Sequence, residues 1–196
     1  MLWAFAPLSV VNVWAASDVK KIDSFNYATS RSVKMSLTKA KTVSVSDRER
    51  AKVLDVVADF AKPGTWPYVS KVIVPGTINR DKYKALRFFC RGNDGTSFSV
   101  VVTSGHVESD GHVPAYSYGV KTQDKWTQVT IPFDAFKTYE QRIWKNGAQV
   151  KFPSGEPIKI EDFEKLSEIR FVFSVEGRGK ATVGHLMIDD LALVKR

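Results

Sequence analysis

The sequence predicts an all-β fold: a two-sheet antiparallel β-sandwich of the jelly-roll type, with at most one or two short helices. In several separate runs, apolar side chains recur at every second residue, which is the pattern of half-buried strands. Short segments rich in Gly, Asn and Asp separate these runs, and no long helical stretch lies between them. The length of 196 residues corresponds to about one domain.

The N-terminal segment differs from the rest because residues 1–17 carry no charge, and the first charged residue is Asp18. The apolar run 2–14 is short for a membrane span, and the small residues around Ala15 suit a cleavage site. We therefore expect residues 1–16 to be a secretory signal or leader and 17–196 to be a secreted domain. No basic residue precedes the apolar run, so a misplaced start site and an N-terminal strand remain alternatives.

The segment 46–61 fits two kinds of secondary structure. Residues 46–49 have the form of a capping box, and Val53, Val57 and Phe60 have helical spacing. The apolar residues from 54 to 60 also alternate as in a strand. We predict a strand because β-branched residues dominate and Pro63-Gly64 ends the run at a strand-like length.

Further alternating runs define the remaining strands. Leu86, Phe88 and Cys90 alternate before the turn sequence Gly92-Asn93-Asp94-Gly95, and a second run alternates after it, which predicts a hairpin. Other runs lie at 116–120, 129–133, 169–173 and, at the end of the chain, 186–194. A short helical turn is expected at 160–166.

The charge and the cysteine content of the chain limit which classes of partner and metal site are expected. Lys and Arg total 29 against 21 Asp and Glu, which gives a net charge of +8. The basic residues are scattered and interleaved with acids, as on ordinary solvated surfaces, so we expect no nucleic-acid partner. After signal removal we expect no membrane partner and a monomer. The single cysteine, Cys90, excludes an intrachain disulfide and a cysteine-rich zinc site.

No motif requires catalysis. The sequence lacks Gly-x-Ser-x-Gly, a phosphate-binding Gly-rich loop and His-Glu-x-x-His. A glycosidase carboxylate pair stays open, because its spacing is a property of the fold. His106, Glu108, Asp110 and His112 are the densest group of potential metal ligands. A polar loop between strands is the simpler interpretation of this group.

Aromatic residues in polar surroundings point to a saccharide ligand. Flat rings stack on the C–H faces of sugars, while Arg, Asp, Asn or Gln side chains bind the hydroxyls. Trp66 and Tyr68 alternate around Pro67, and Trp144 lies close to Arg142 in a polar stretch. The alternative for each ring is that it packs in the core or covers a sheet edge.

Four short motifs occur in the order known from one family. They are Ile22-Asp23-Ser24-Phe25, Tyr83 to Phe88 with Gly92-Asn93-Asp94-Gly95, Lys125 to Phe136, and Ile188-Asp189-Asp190-Leu191. Their order and spacing over residues 20 to 195 resemble β-jelly-roll carbohydrate-binding modules of the galactose-binding-domain-like superfamily.

The resemblance implies a sandwich whose first and last strands are adjacent. It also implies polysaccharide binding in a cleft and association with a glycoside hydrolase or lyase. Many such modules hold a structural calcium ion, and Asp23 and Asp189 match its carboxylate ligands. These two residues could instead cap strand ends. No organic cofactor is implied.

The resulting hypothesis is a non-catalytic module that binds a neutral β-glucan or a similar chain. Its predicted ligand-binding residues are aromatic platforms and hydrogen-bond donors: Trp66, Tyr68, Tyr118, Arg142 and Trp144, with Arg87 and Arg170 on strand faces. The insertion 138–157 would either shape the cleft or be a solvated loop.

Two hypotheses from other classes remain. One is a jelly-roll polysaccharide lyase or glycoside hydrolase that uses His106 or His112 as base and Tyr116 or Tyr118 as acid. The other is a protein-interaction domain, because the same superfamily includes a domain of a mitochondrial respiratory-complex assembly factor.

Overall fold

A computed structural model describes residues 18–23, 33–36, 38–47, 50–59, 67–92, 97–104, 108, 111–139, 141–145, 148–152, 154–173 and 183–195. In this part of the chain, antiparallel strands dominate, and the helical elements are α1 (Ile160–Phe163) and a 3-10 turn (Phe133–Ala135). The predicted all-β sandwich with short helices is confirmed. None of the described helices has the length and apolar character needed to cross a membrane.

The first sheet contains six strands within the described residues. Its order is β3-β4-β14-β6-β9, and β1 also pairs with β14. The strands are β1 (Val19–Asp23), β3 (Thr38–Asp47), β4 (Arg50–Asp59), β6 (Tyr83–Gly92), β9 (Thr127–Pro132) and β14 (Val183–Lys195). Because β1 pairs antiparallel with β14, from Val19 opposite Val194, the first and last described strands are adjacent, as the resemblance implied.

The second sheet also contains six strands within the described residues, in the order β10-β8-β7-β13-β5-β2. They are β2 (Val33–Ser36), β5 (Tyr68–Val72), β7 (Ser97–Ser104), β8 (Ala115–Lys121), β10 (Lys137–Thr138) and β13 (Leu166–Phe173). Two further strands, β11 (Gln141–Lys145) and β12 (Ala148–Phe152), form a separate two-stranded sheet.

The core lies between the two six-stranded sheets. Phe88 of β6 and Phe171 of β13 meet across the interface edge to face, with ring centroids 5.3 Å apart, and Phe98 of β7 completes the cluster. All three rings are at most 1% exposed. Burying a side chain of this size stabilises the fold by about 1.5–3 kcal/mol, so the period-two pattern fixes which face of each strand is inside.

Two local predictions are confirmed. Residues 50–59 of the contested segment form β4, in which Leu54, Val56 and Ala58 are buried and pack in the core. The expected helical turn is α1.

The predicted hairpin between β6 and β7 is wrong. β6 pairs with β14 and β9 in the first sheet, whereas β7 pairs with β13 and β8 in the second. The chain therefore crosses from one sheet to the other after Gly92. Strands on facing sheets bury one face just as hairpin strands do, so alternation alone does not distinguish them.

Gly92 has a packing role as well as its place before the turn sequence. A Cβ at this position would lie 2.7 Å from the carbonyl oxygen of His185 on β14. Its N–H donates to the carbonyl oxygen of Gln123 at 2.9 Å. The close approach of two backbones therefore explains a glycine at the end of β6.

Candidate functional site

Two neighbouring strands of the second sheet place polar and aromatic side chains on the side away from the core. On β13, Ile169 and Phe171 are buried in the core, so the alternate residues Glu168 and Arg170 point outward. On β5, which pairs with β13, Val69 points inward and the alternate residues Tyr68 and Ser70 point outward. We call the surface formed by Tyr68, Ser70, Glu168 and Arg170 the outer face.

Arg170 is the cation of the outer face. Its Nε and Nη2 both donate to Oε2 of Glu168, at 2.9 and 2.7 Å. Its guanidinium carbon lies 5.3 Å from the ring centroid of Tyr68, within the range of a cation–π contact. The Arg170 side chain is 33% exposed. Arg170 is therefore held by Glu168 and Tyr68 while part of its side chain stays exposed to solvent.

The buried carboxylate of Glu168 holds the Arg170 side chain in position. The residue is 9% exposed, and its Oε1 accepts a hydrogen bond of 2.5 Å from Oγ of Ser70, which is itself buried. Its two oxygens thus bind different strands, because Ser70 lies on β5 and Arg170 on β13. A buried carboxylate is stable only when paired and hydrogen-bonded, and Glu168 meets both conditions.

Tyr139, which follows β10, adds a second ring near Arg170. Partial burial raises the pKa of the Tyr139 hydroxyl, and the positive charge of Arg170 opposes that rise. The residue as a whole is 36% exposed. Tyr68 is only partly exposed, and Tyr139 is the more exposed of the two residues.

The predicted ligand-binding residues do not all share this surface. The structure brings Tyr68 and Arg170 together. Tyr118 lies opposite Val100, whose side chain is fully buried in the core, so Tyr118 is on the inner side of its sheet. The residue is 38% exposed, and its ring centroid lies 6.3 Å from that of Phe136.

Arg87 lies on the opposite side of the molecule from Arg170. Its neighbours Leu86 and Phe88 are buried in the core, so Arg87 points to the outside of the first sheet. Its Nε is buried and has no hydrogen-bond partner among the described residues. The two arginines are therefore separated by the thickness of the sandwich, roughly 10 Å between sheets, and cannot line one cleft.

Three predicted residues cannot be placed by side chain. Trp66 lies outside the described residues. The backbones of Arg142 and Trp144 lie in β11, which pairs with β12 from Gln141 opposite Phe152, while their side chains are outside what is described. The hairpin they belong to contacts the domain through the ring of Phe152, 4.8 Å from that of His112.

The residues suggested for an enzyme are only partly placed. His106 and Asp110 lie outside the described residues. Tyr116 is 3% exposed, and its hydroxyl donates to the carboxylate of Asp162, which is also buried. Burial and the neighbouring Asp162 raise the Tyr116 pKa. Tyr116 therefore cannot reach a polymer, and its assignment as the acid of an enzyme is wrong.

The carboxylates matched to calcium lie on paired strands. Asp23 is the last residue of β1 and forms an ion pair of 2.6 Å with Lys71 of β5. Asp189 is buried, and its Oδ1 accepts a hydrogen bond from the N–H of Asp190. Calcium takes six to eight oxygen ligands, and the described residues contain no group of three or more His, Cys, Asp or Glu placed to hold a metal ion. The fit is incomplete, so calcium binding stays a prediction.

Sequence reasoning missed three members of the site: Ser70, Tyr139 and Glu168. The signal for Glu168 was present, because it lies two residues before Arg170 and therefore on the same strand face. No sequence signal identifies Ser70, whose partner Glu168 is 98 residues away. The hairpin β11–β12 was also missed, although Asn146-Gly147 is a strong turn signal between two short strands.

Comparison of the structure with solved proteins identifies the fold. A family 11 carbohydrate-binding module from Clostridium thermocellum, in complex with a β-1,3-1,4-mixed-linked tetrasaccharide, matches with a TM-score of 0.61 and 14% identity, over 90% of this chain and 95% of that one. A family 30 carbohydrate-binding module matches with a TM-score of 0.55 and 11% identity, over 81% and 74%.

This chain has the fold of a carbohydrate-binding module. It also matches an agarase, AgWH50C, with a TM-score of 0.55 and 13% identity, over 91% of this chain but only 25% of the agarase. The sequence matches no protein-family model and no curated protein. The resemblance drawn from the four motifs is therefore confirmed by fold.

Proposed function

We propose that this chain is a non-catalytic carbohydrate-binding module that recognises a neutral polysaccharide of the β-glucan type on its outer face. The observation that carries the proposal is Arg170, whose side chain is fixed by Glu168 and Tyr68 and is nevertheless 33% exposed. Polar groups that are fixed before binding lose little entropy when a ligand arrives.

The chemistry of the outer face suits a sugar ring. A pyranose presents C–H groups on its faces and hydroxyls at its edge. The exposed ring of Tyr139 can cover such a face, and the N–H groups of Arg170 can donate to ring hydroxyls. Sites of this kind combine apolar contact area with a few fixed polar groups.

The solved neighbours support the proposal. A module of similar fold forms a complex with a mixed-linked β-glucan tetrasaccharide. The chain also matches one quarter of the length of an agarase. Agarose is therefore a second neutral chain to test beside β-glucan. We further propose that the protein is exported, acts as a monomer and associates with a carbohydrate-active enzyme.

The test is affinity electrophoresis of the protein as it exists. The net charge of +8 sets the direction of migration, so native gels are run toward the cathode with mixed-linkage β-glucan, hydroxyethylcellulose or agarose in the gel. Retardation by a neutral chain, without reducing ends or unsaturated product, is the expected result. Formation of product would show that the protein is a lyase or hydrolase and not a non-catalytic module. If no polymer changed the migration, the proposal of saccharide binding would be wrong.

A matched pair of variants tests the location. Arg170→Ala removes the cation of the outer face and should abolish most of the retardation. Arg91→Ala removes an exposed arginine on the outside of the first sheet and should leave it unchanged. Equal retardation of the two variants would show that the binding site does not lie on the outer face.

A further inference from the structure

The outer face contains its own counter-charge. Nε and Nη2 of Arg170 both donate to one oxygen of Glu168, and the other oxygen of that carboxylate accepts a hydrogen bond from Ser70. The Glu168 side chain is 12% exposed while the Arg170 side chain is 33% exposed. A ligand therefore meets the guanidinium, but the charge it meets is largely cancelled by the carboxylate behind it.

We propose that Glu168 is a specificity-determining residue: by neutralising Arg170, it makes the outer face select uncharged saccharide chains over anionic ones. The inference rests on the proposed function. A free guanidinium favours carboxylates and sulfates, because it can give them two parallel hydrogen bonds and a full positive charge. Glu168 occupies the Nε–Nη2 edge and supplies a compensating negative charge. The remaining donors suit hydroxyl oxygens.

The overall charge of the protein makes this local effect necessary. With a net charge of +8, the molecule attracts polyanions at long range. Selection of a neutral chain then requires that the contact surface itself adds no favourable electrostatic energy when a negative ligand binds. Glu168, which is buried beside the only described arginine of the outer face, provides this discrimination. An anionic chain gains no binding energy from a cation whose charge is already compensated.

The experiment compares two polymers with one backbone. Hydroxyethylcellulose is neutral and carboxymethylcellulose is anionic, while both are β-1,4-glucans. The matched variants are Glu168→Gln and Asp55→Asn. Asp55 is a buried carboxylate on the outside of the first sheet and contacts His185, so each variant raises the net charge by one, on opposite sides of the sandwich.

We expect the wild-type protein and Asp55→Asn to prefer hydroxyethylcellulose to the same degree. In Glu168→Gln the ratio of the two affinities should shift toward carboxymethylcellulose by about ten-fold, equivalent to about 1.4 kcal/mol. That gain should disappear as salt rises, because it comes from an unmasked charge near the surface.

An unchanged ratio in Glu168→Gln, or the same shift in Asp55→Asn, overturns the inference and leaves the proposed function standing. Binding of neither polymer nor any other saccharide by the wild-type protein overturns both. Circular dichroism checks folding. If Glu168→Gln does not fold, Arg170→Gln serves instead, because it changes the outer face by one charge in the other direction. It should lose carboxymethylcellulose more than hydroxyethylcellulose, and equal losses overturn the inference.

Discussion

The guanidinium carbon of Arg170 on β13 lies 5.3 Å from the centroid of the Tyr68 ring on β5. The two aromatic residues near Arg170 differ in their contacts and in their exposure. The guanidinium covers one face of Tyr68, so that ring mainly holds Arg170 in place. Tyr139, at 36% exposure, is the more exposed of the two residues.

The first prediction follows from this difference. Tyr139→Ala should weaken binding of mixed-linkage β-glucan by about ten-fold, because a ring contact of this kind is worth about 0.5–1.5 kcal/mol beyond the area it buries. Calorimetric titration measures the affinity. Tyr139→Phe keeps the ring and should bind nearly as well as wild type. A loss as large in Tyr139→Phe would assign the effect to the hydroxyl.

The second prediction concerns Trp66, Trp144 and salt. Trp66→Ala or Trp144→Ala should abolish most of the binding to a neutral β-glucan, and wild-type binding should change little between low salt and roughly 0.3 M salt. Ring contacts and short hydrogen bonds are hardly screened, whereas contacts to a polyanion lose affinity steeply. Binding confined to uronic-acid polymers and lost at roughly 0.3 M salt would favour Arg142 and the lysines over the rings.

The third prediction uses the buried pair of Tyr116 and Asp162. Tyr116→Phe removes the hydroxyl that donates to a buried carboxylate. Leaving a buried acceptor with one partner fewer should lower the free energy of unfolding by about 1–3 kcal/mol. Tyr118→Phe is the control, because its hydroxyl belongs to an exposed residue and its cost should stay within about 0.5 kcal/mol. Urea unfolding gives both values, and equal costs would contradict the role of the buried pair.

The fold was predictable because alternation decides which side of a strand is inside. Leu54, Val56 and Ala58 in β4 show this, since their spacing outweighed a capping-box motif upstream. The same rule does not say which strands are neighbours. The runs on either side of Gly92 looked like a hairpin, yet they lie in different sheets.

The site was less predictable for the same reason. Tyr68 and Arg170 could be proposed one by one, because each is a ring or a donor on an alternating strand. Their contact depends on β5 pairing with β13, which no local pattern encodes. Arg87 has an equivalent sequence context but belongs to the other sheet, so its side chain emerges on the opposite surface.

The fourth prediction tests calcium. If Asp23 and Asp189 help to hold the ion, calcium should raise the melting temperature and a chelator should lower it, because a ligand bound only by the folded state stabilises that state. Lys71 already pairs with Asp23 at 2.6 Å, so Lys71→Gln should enlarge the calcium effect by removing a competing cation. Identical melting curves with chelator and with added calcium would remove both carboxylates from the list of metal ligands.

The fifth prediction concerns the stability of the fold at alkaline pH. Burial raises the pKa of the Cys90 thiol to about 12, and the residue is 1% exposed. The folded state therefore prefers the neutral thiol more strongly than the unfolded chain does. This contribution is complete below the unfolded pKa of about 8.5 and is lost as the pH rises toward 12.

A pH of 10 lies roughly 1.5 units above the unfolded pKa, and each unit lowers the contribution of Cys90 by about 1.36 kcal/mol. By pH 10 this contribution to the free energy of unfolding should therefore have fallen by about 2 kcal/mol. Tyr116 acts in the same direction because its pKa is also raised, so wild type alone does not isolate the thiol. Cys90→Ala does, since its cavity cost is independent of pH while its thiol contribution is gone. Unfolding free energies of the two proteins should therefore converge between pH 8 and pH 10 by about this amount. Parallel curves would show that the Cys90 thiol ionises as easily in the folded protein as in the unfolded chain.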